Sequence, residues 1–405
     1  MNPRKFPALL LLVACSPALA DAGFPACLLT LQNQAREARV ADWIVDEVVP
    51  GLQQQERVLA LDGKQPEFVQ TFAQYLNARV TQARIDQGRI LYRKHRDFLA
   101  RLQQKYGVPG HYLVAFWGLE TNFGSYLGGM PTLDSLATLA CDTRRAEFFG
   151  GEFIAALQLL ERERLQPAEM RGSWAGAVGH TQFMPSNYLR YAVDGDGDGR
   201  IDLWGSEQDA LASGANFLSQ LGWVPELRWG REVRLQPGFR FDLAGSGKRR
   251  PLLEWSQLGV RRSDGGTLPE SELQAVILLP AGAAGPAFMV YENFDVIMRW
   301  NRSESYALSV GHLADRIAGA GPLQQPPPVN QRPLSRGDVE LVQQQLNELG
   351  FEAGAEDGIF GSGTRAALSE FQRSKGMVAD GYPDAASIEG LEQAATGATE
   401  GRGDN

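Results

Sequence analysis

The sequence predicts a mainly α-helical protein with a small β-rich insertion and a separate three-helix module near its C-terminus. Three observations lead there. Apolar residues recur at spacings of three and four through most of the first 220 residues. Between Trp229 and Tyr291 that period gives way to short apolar runs separated by Gly, Pro and Asp turns. Beyond a proline-rich stretch, one spacing occurs twice: Asp357-Gly358, Thr364 and Leu368 return as Asp380-Gly381, Ser387 and Leu391.

The chain begins with an expected export signal over residues 1–20. Arg4 and Lys5 precede an apolar run from Ala8 to Ala14, and Ala18-Leu19-Ala20 before Asp21 has the small-x-small form of a cleavage site. Leu12-Val13-Ala14-Cys15 offers a second outcome, a lipid anchor on Cys15; cleavage after Ala20 is preferred because Ser16-Pro17 leads on to the later site. No other apolar run reaches the roughly 20 residues of a membrane span. With Cys15 removed, Cys27 and Cys141 remain, an even pair expected to form a disulfide after export; two free thiols are the alternative. Of the 405 residues, 43% are hydrophobic and 21% charged, as in ordinary globular proteins, and the net charge of -9 with no basic cluster excludes a nucleic-acid binder.

Helical spacing covers Leu28, Leu31 and Ala35, then Trp43 to Val49, then Phe68, Phe72, Tyr75 and Leu76, and predicts one helix from Ile85 to Tyr106. The next helix starts after Pro109-Gly110 and carries Leu113, Phe116, Trp117 and Glu120 on one face. Desolvation disfavours a charged carboxylate, so a glutamate on that apolar face is expected to hold a proton near neutral pH, as an acid catalyst must. The alternative is a buried acid paired with an arginine. Helices resume from Leu133 to Leu139 and from Phe148 to Arg164.

Residues 173–188 then combine small residues (Ala175 to Gly179) with Ser173, Gln182 and Asn187 among aromatics, a mixture suited to sugars, which present hydroxyl edges and apolar faces. Asp194, Asp196 and Asp198 occupy positions 1, 3 and 5 of a calcium-type loop, with Gly199 at 6, Arg200 at 7 and Ile201 at 8. Position 12 is Gly205, so the closing ligand is expected from Asp209, or failing that Glu207. Calcium there would be structural. The four histidines are scattered, which argues against catalytic zinc.

Within the β-rich part, about 229–291, strands are expected at Val233 and Leu235, Phe239 and Phe241, Ala275 to Leu279, and Phe288 to Tyr291, followed by helices over Asp295 to Trp300 and Leu308 to Ile317. Residues 319–333 read as a linker. Residues 334–393 form the three-helix module, with helices over 338–349, 364–374 and 385–392, and 394–405 a flexible tail.

With these stretches together, the chain resembles the lytic murein transglycosylase B family (glycoside hydrolase family 103). The resemblance rests on Trp117 to Gly124, Ala175 to Tyr188, the aspartate loop through Trp204, Ala215-Asn216-Phe217 and Tyr291 to Asn301. It implies a lysozyme-like helical catalytic domain over 21–318 and a peptidoglycan-binding domain over 334–393. It also implies cleavage of the β-1,4 bond between MurNAc and GlcNAc, with the MurNAc 6-hydroxyl attacking C1 to give a 1,6-anhydro product. By position, Glu120 matches the family's catalytic acid/base, and Ser173, Gln182 and Asn293 match residues lining the site. Phe183, Tyr188 and Tyr291 join them as aromatic candidates for sugar contact. A hydrolytic muramidase and a non-catalytic wall-binding scaffold are the alternatives. The expected partner is the peptidoglycan glycan strand and the expected setting the periplasm, with a monomeric protein there, or an outer-membrane lipoprotein if Cys15 is lipidated.

Overall fold

The computed structural model describes residues 23–63, 70–245 and 247–400, with side chains through 396. The export signal, Cys15 and Phe68 lie outside the described residues.

Two helical lobes meet at a buried central helix. The first lobe contains α1 (Gly23–Glu37), α2 (Glu56–Asp62), α7 (Thr132–Ala140), α8 (Ala146–Arg162) and α9 (Pro185–Tyr191). In the second, α3 (Phe72–Arg79), α4 (Gln82–Lys94), α5 (Arg96–Tyr106), α10 (Glu207–Gln220), α12 (Glu292–Trp300) and α13 (Glu304–Ile317) surround α6 (Gly110–Thr121). Tyr112 to Gly118 of α6 are all buried, so this helix is apolar on every side, as a central helix must be. It stops at Asn122, whose left-handed φ of 49° turns the chain out of the helix and makes Glu120 a last-turn residue. The single helix expected from Ile85 to Tyr106 is instead two, broken at His95.

A two-stranded ribbon, β1 (Met130–Pro131) with β2 (Arg171–Gly172), joins the loop after α6 to the segment after α8. The β-rich insertion is a five-stranded antiparallel sheet in the order β4-β6-β7-β3-β5. Its strands are β3 (Gly230–Leu235), β4 (Arg250–Pro251), β5 (Val260–Arg262), β6 (Gln274–Leu278) and β7 (Ala287–Val290), with α11 (Leu252–Gln257) between β4 and β5. Phe239 and Phe241 form no strand. Gly238, at φ +84°, turns the chain, and the two rings meet edge-on, 5.6 Å apart, with Phe239 in the insertion's core.

The C-terminal module contains α14 (Arg336–Glu348), α15 (Ser362–Ser374) and α16 (Ala385–Glu400), so residues 394–400 continue a helix where a tail was expected. Its repeat has a physical basis that lies outside the repeated residues. The buried amide of Gln343 donates to Asp357 (3.0 Å) and Thr364 (3.2 Å) and accepts from the Gly358 amide (2.9 Å). Gln372 does the same for Asp380, Ser387 and Gly381. Each Asp-Gly turn is thus pinned to a helix by one fully used glutamine.

The stretch expected as a linker lies against the insertion. The amides of Gln324 and Gln325 both donate to Glu232 at 2.8 Å, Gln331 donates to the Ala281 carbonyl, and Tyr382 donates to Gln331. Asp380 accepts from the Ala283 amide at 2.7 Å, so the second repeat turn also docks the module on the insertion.

Cys27 and Cys141 form the expected disulfide, with Cα atoms 5.8 Å apart at a sequence separation of 114, tying α1 to the end of α7. Loop closure of that length contributes about 4 to 5 kcal/mol in the chain-entropy model. Urea unfolding with and without reductant is expected to show a stability loss of that order, and an unchanged midpoint would contradict it.

Candidate active site

Glu120 sits in the last turn of α6, half-buried, where α12 and α13 converge. Trp300 Nε1, at the end of α12, donates to its Oε1 at 2.9 Å, and the Tyr306 hydroxyl, from the first turns of α13, donates to the same oxygen. Oε2 accepts no hydrogen bond among the described residues, and no cation pairs with the carboxylate there. The alternative of an arginine-paired acid is therefore not what the structure holds. Desolvation pushes the carboxyl up to about 7, and the Tyr306 and Trp300 donors, then the more distant Arg79 charge, pull the other way. Tyr306 is itself raised well above its ordinary value by burial and by the neighbouring Glu120 charge, so it remains a donor. Phe116, one turn before Glu120, stacks on Trp300 with ring centroids 4.4 Å apart and fixes the indole.

Trp117 has a different task from the one its spacing suggested. Its Nε1 donates to His180 Nδ1 at 2.9 Å, while Thr121 donates to the His180 carbonyl at 2.7 Å. These two bonds dock the small-residue segment 173–183 on the C-terminal end of α6. Close approach there dictates glycine. A Cβ on Gly124 (φ +78°) would meet the His180 ring at 2.2 Å, and one on Gly128 (φ +93°) would meet the Gly172 carbonyl at 2.1 Å. Gln182, at a left-handed φ of 49°, donates its amide to the carbonyls of Leu127 and Gly179, both at 3.0 Å, leaving its Oε1 available. Ser173 accepts from the Ala177 amide at 3.1 Å and keeps its hydroxyl proton to donate.

Four other expected contacts are not open to a ligand. Asn293 is completely buried, and its amide is spent on the backbone of Val224, by both donation and acceptance, and of Leu227. It braces the approach to the sheet. Tyr291 is buried in the core of the insertion. Phe183 packs between Phe217 and Trp300, and Tyr188 donates to the Ile201 carbonyl at 2.7 Å. Both are buried supports. Trp300 and Tyr306 are the residues the sequence reading missed.

In the aspartate loop, oxygens of Asp194, Asp196 and Asp209 lie within 4.8 Å of one another. Asp209 is buried at the start of α10, with Oδ1 accepting from the Gly195 amide (2.8 Å) and Oδ2 from that of Asp202 (2.7 Å). Burial raises its pKa above the usual carboxylate range. Two expected ligands are directed elsewhere. Asp198 accepts from the Arg200 amide and is outside the cluster, and Glu207 lies 2.7 Å from Lys94 and 2.9 Å from His95. Oxygens at this separation fit the span of a calcium shell, with metal–oxygen distances of roughly 2.3–2.6 Å.

A helical body that holds one desolvated, cation-free carboxyl where three helices converge, with a small helical module attached, has the parts of an acid-catalysing protein. Residues 23–315 match the family model described as "Transglycosylase SLT domain", and residues 335–389 one described as "Putative peptidoglycan binding domain". The chain belongs to the transglycosylase SLT domain family, and its fold is the lysozyme-like one expected. It is 35% identical over 257 residues to membrane-bound lytic murein transglycosylase B of Escherichia coli, an alignment that spans 60% of this chain and 66%, just under two thirds, of that relative. The crystal structure of SltB3 from Pseudomonas aeruginosa, in complex with NAG-anhNAM-pentapeptide, superposes with a TM-score of 0.88 at 41% identity, covering 92% of this chain and 100% of that one. Escherichia coli Slt35 in complex with calcium gives 0.63 at 30% identity, over 72% and 92%.

Because Tyr306 donates to Oε1, Tyr306→Phe removes a bond that favours the carboxylate and is expected to raise the Glu120 pKa above about 7. Carbon-13 NMR titration of labelled glutamate checks this; a lowered value would refute the described balance.

Proposed function

We propose that the chain is an exported lytic transglycosylase that cleaves the MurNAc–GlcNAc β-1,4 bond of peptidoglycan with Glu120 as acid and then base. The observation that carries this is a carboxyl raised to about 7 by desolvation, with neutral donors on Oε1 and no cation paired with it among the described residues. Near neutral pH it carries a proton, and Oε2 is the oxygen free to present it. That proton passes to the glycosidic oxygen as the C1–O bond breaks, and the GlcNAc hydroxyl leaves. The carboxylate formed then takes the proton of the MurNAc 6-hydroxyl as O6 attacks C1, closing the 1,6-anhydro ring and restoring the acid. No water enters the balance. Trp300 and Tyr306 are positioning residues that hold Oε1 and turn Oε2 toward the substrate. Ser173, with a free hydroxyl proton, and Gln182, with a free carbonyl oxygen, are suited to hydrogen-bond sugar substituents.

Asp194, Asp196 and Asp209 would hold a structural calcium ion, which when bound supplies positive charge to three crowded carboxylates and has no part in the bond cleavage. Slt35, in complex with calcium, supports this reading. The periplasm is the proposed compartment, with Cys27–Cys141 suited to its oxidising chemistry.

Glu120→Gln is expected to lower muropeptide release by at least about a thousandfold, in the range of lost acid–base catalysis. Mass spectrometry of wild-type products is expected to show anhydro ends; reducing ends would establish the hydrolytic muramidase instead. The same substitution has a stability signature. The folded-state pKa of about 7 is above the ordinary value of 4.5, so wild type loses stability as pH rises through that window, whereas glutamine does not. The variant's Tm should therefore exceed that of wild type above pH 7 and match it below 4.5. Chelation, or Asp209→Ala, is expected to lower Tm by several degrees while the rate per folded molecule is kept; a rate loss without destabilisation would refute a structural ion.

A further inference from the structure

A cavity of about 530 Å³ lies between the catalytic body and the C-terminal module. Three elements wall it: Phe241 to Gly245 with Lys248 in the insertion, the first turn of α13 at Glu304, and the face of α15 that carries Arg365, Ser369 and Arg373. Three of the charges around it already have partners. Asp242 is paired with Arg240 at 2.7 Å and lies within the influence of Arg373, and Lys248 donates to the Asp242 carbonyl. Asp380 is used by Gln372, the Tyr382 amide and the Ala283 amide.

Glu370 and Arg373 also line it but are exposed, whereas two further groups are half-buried. Arg365 is half-buried, with its guanidinium over the Phe360 ring at 5.7 Å, and makes no hydrogen bond or ion pair among the described residues. Glu304 faces the same space, and its carboxyl has no hydrogen-bond or ion-pair partner there either. Burial raises its pKa, with the Arg365 charge as the opposing influence. A desolvated carboxyl beside an unpaired guanidinium favours an occupant that satisfies both.

We propose that this cavity binds the peptide carried by the glycan strand, with Arg365 taking a peptide carboxylate and Glu304 a peptide amide or ammonium group. The proposal rests on the peptidoglycan reading above. A glycan offers hydroxyls and acetamido groups but no such pairing of charges, whereas a short acidic peptide offers both, and Phe360 supplies an apolar shelf beneath the guanidinium. The volume falls in the usual range for small-ligand sites, roughly 300–1,000 Å³. Position supports the same assignment. Glu304 opens α13, the helix whose third residue, Tyr306, donates to Glu120, so the cavity and the carboxyl share that helix as a support. The Asp380–Ala283 and Tyr382–Gln331 bonds hold the cavity's two sides in register.

The test uses the full chain, with strands that retain their stem peptides and strands stripped of them by an amidase. Arg365→Glu is expected to lower the ratio of kcat/KM on peptide-bearing strands to that on stripped strands at least tenfold. Calorimetry should show at least tenfold weaker binding of the free tetrapeptide, with partial recovery in Arg365→Lys. A ratio within twofold of wild type would overturn the proposal, and Arg365→Gln replaces Arg365→Glu should the latter melt early. Wild-type anhydro product from stripped strands keeps this outcome separate from the reading it rests on, which fails if that product is missing.

Discussion

Two neutral donors meeting on one oxygen of a desolvated carboxyl are the constraint on which the rest of the fold depends. A guanidinium in their place would hold Glu120 ionised, and water would return it toward its ordinary pKa. Indole and phenol do neither, but they must come from elsewhere in the chain and arrive within hydrogen-bond reach. That requirement explains why α6 is apolar on every side, why Phe116 stacks on Trp300, and why Phe183 and Phe217 back the same indole. Trp300 closes one helix and Tyr306 opens the next, so the short step between α12 and α13 is what brings both donors to the same point.

The acid itself was legible in the sequence, because helical spacing is local and a glutamate on an apolar face stands out. Its donors were not, since they lie 180 and 186 residues further on and no local period encodes that pairing. Asn293 shows the reverse error. Its motif marked it as a site residue, yet a fully buried amide between three backbone groups is a brace, and only tertiary structure tells the two apart. Counting loop positions and charges singled out Asp209, and the structure brings its carboxylate within 4.8 Å of those of Asp194 and Asp196. The glutamines behind the C-terminal repeat escaped notice because a single polar residue in a helical period reads as surface, while Gln343 and Gln372 are buried.

Domain layout was legible to a similar degree. The switch of period near Trp229 marked the insertion correctly, but Phe239 and Phe241 mimicked strand alternation across a glycine turn. Helix breaks without Pro or Gly, as at His95, leave no local trace. The proline-rich stretch read as a linker, and its composition gave no sign that backbone amides at 324 and 325 fasten it to Glu232.

That fastening changes what the added module can do for binding. A flexible tether lets two sites search independently and sets their effective concentration by chain length. Here the second contact is offered at a fixed offset, so a strand whose path matches that offset gains avidity with little entropic penalty, and one that bends away gains none. The enzyme would therefore select strands by their curvature and spacing as well as by their chemistry.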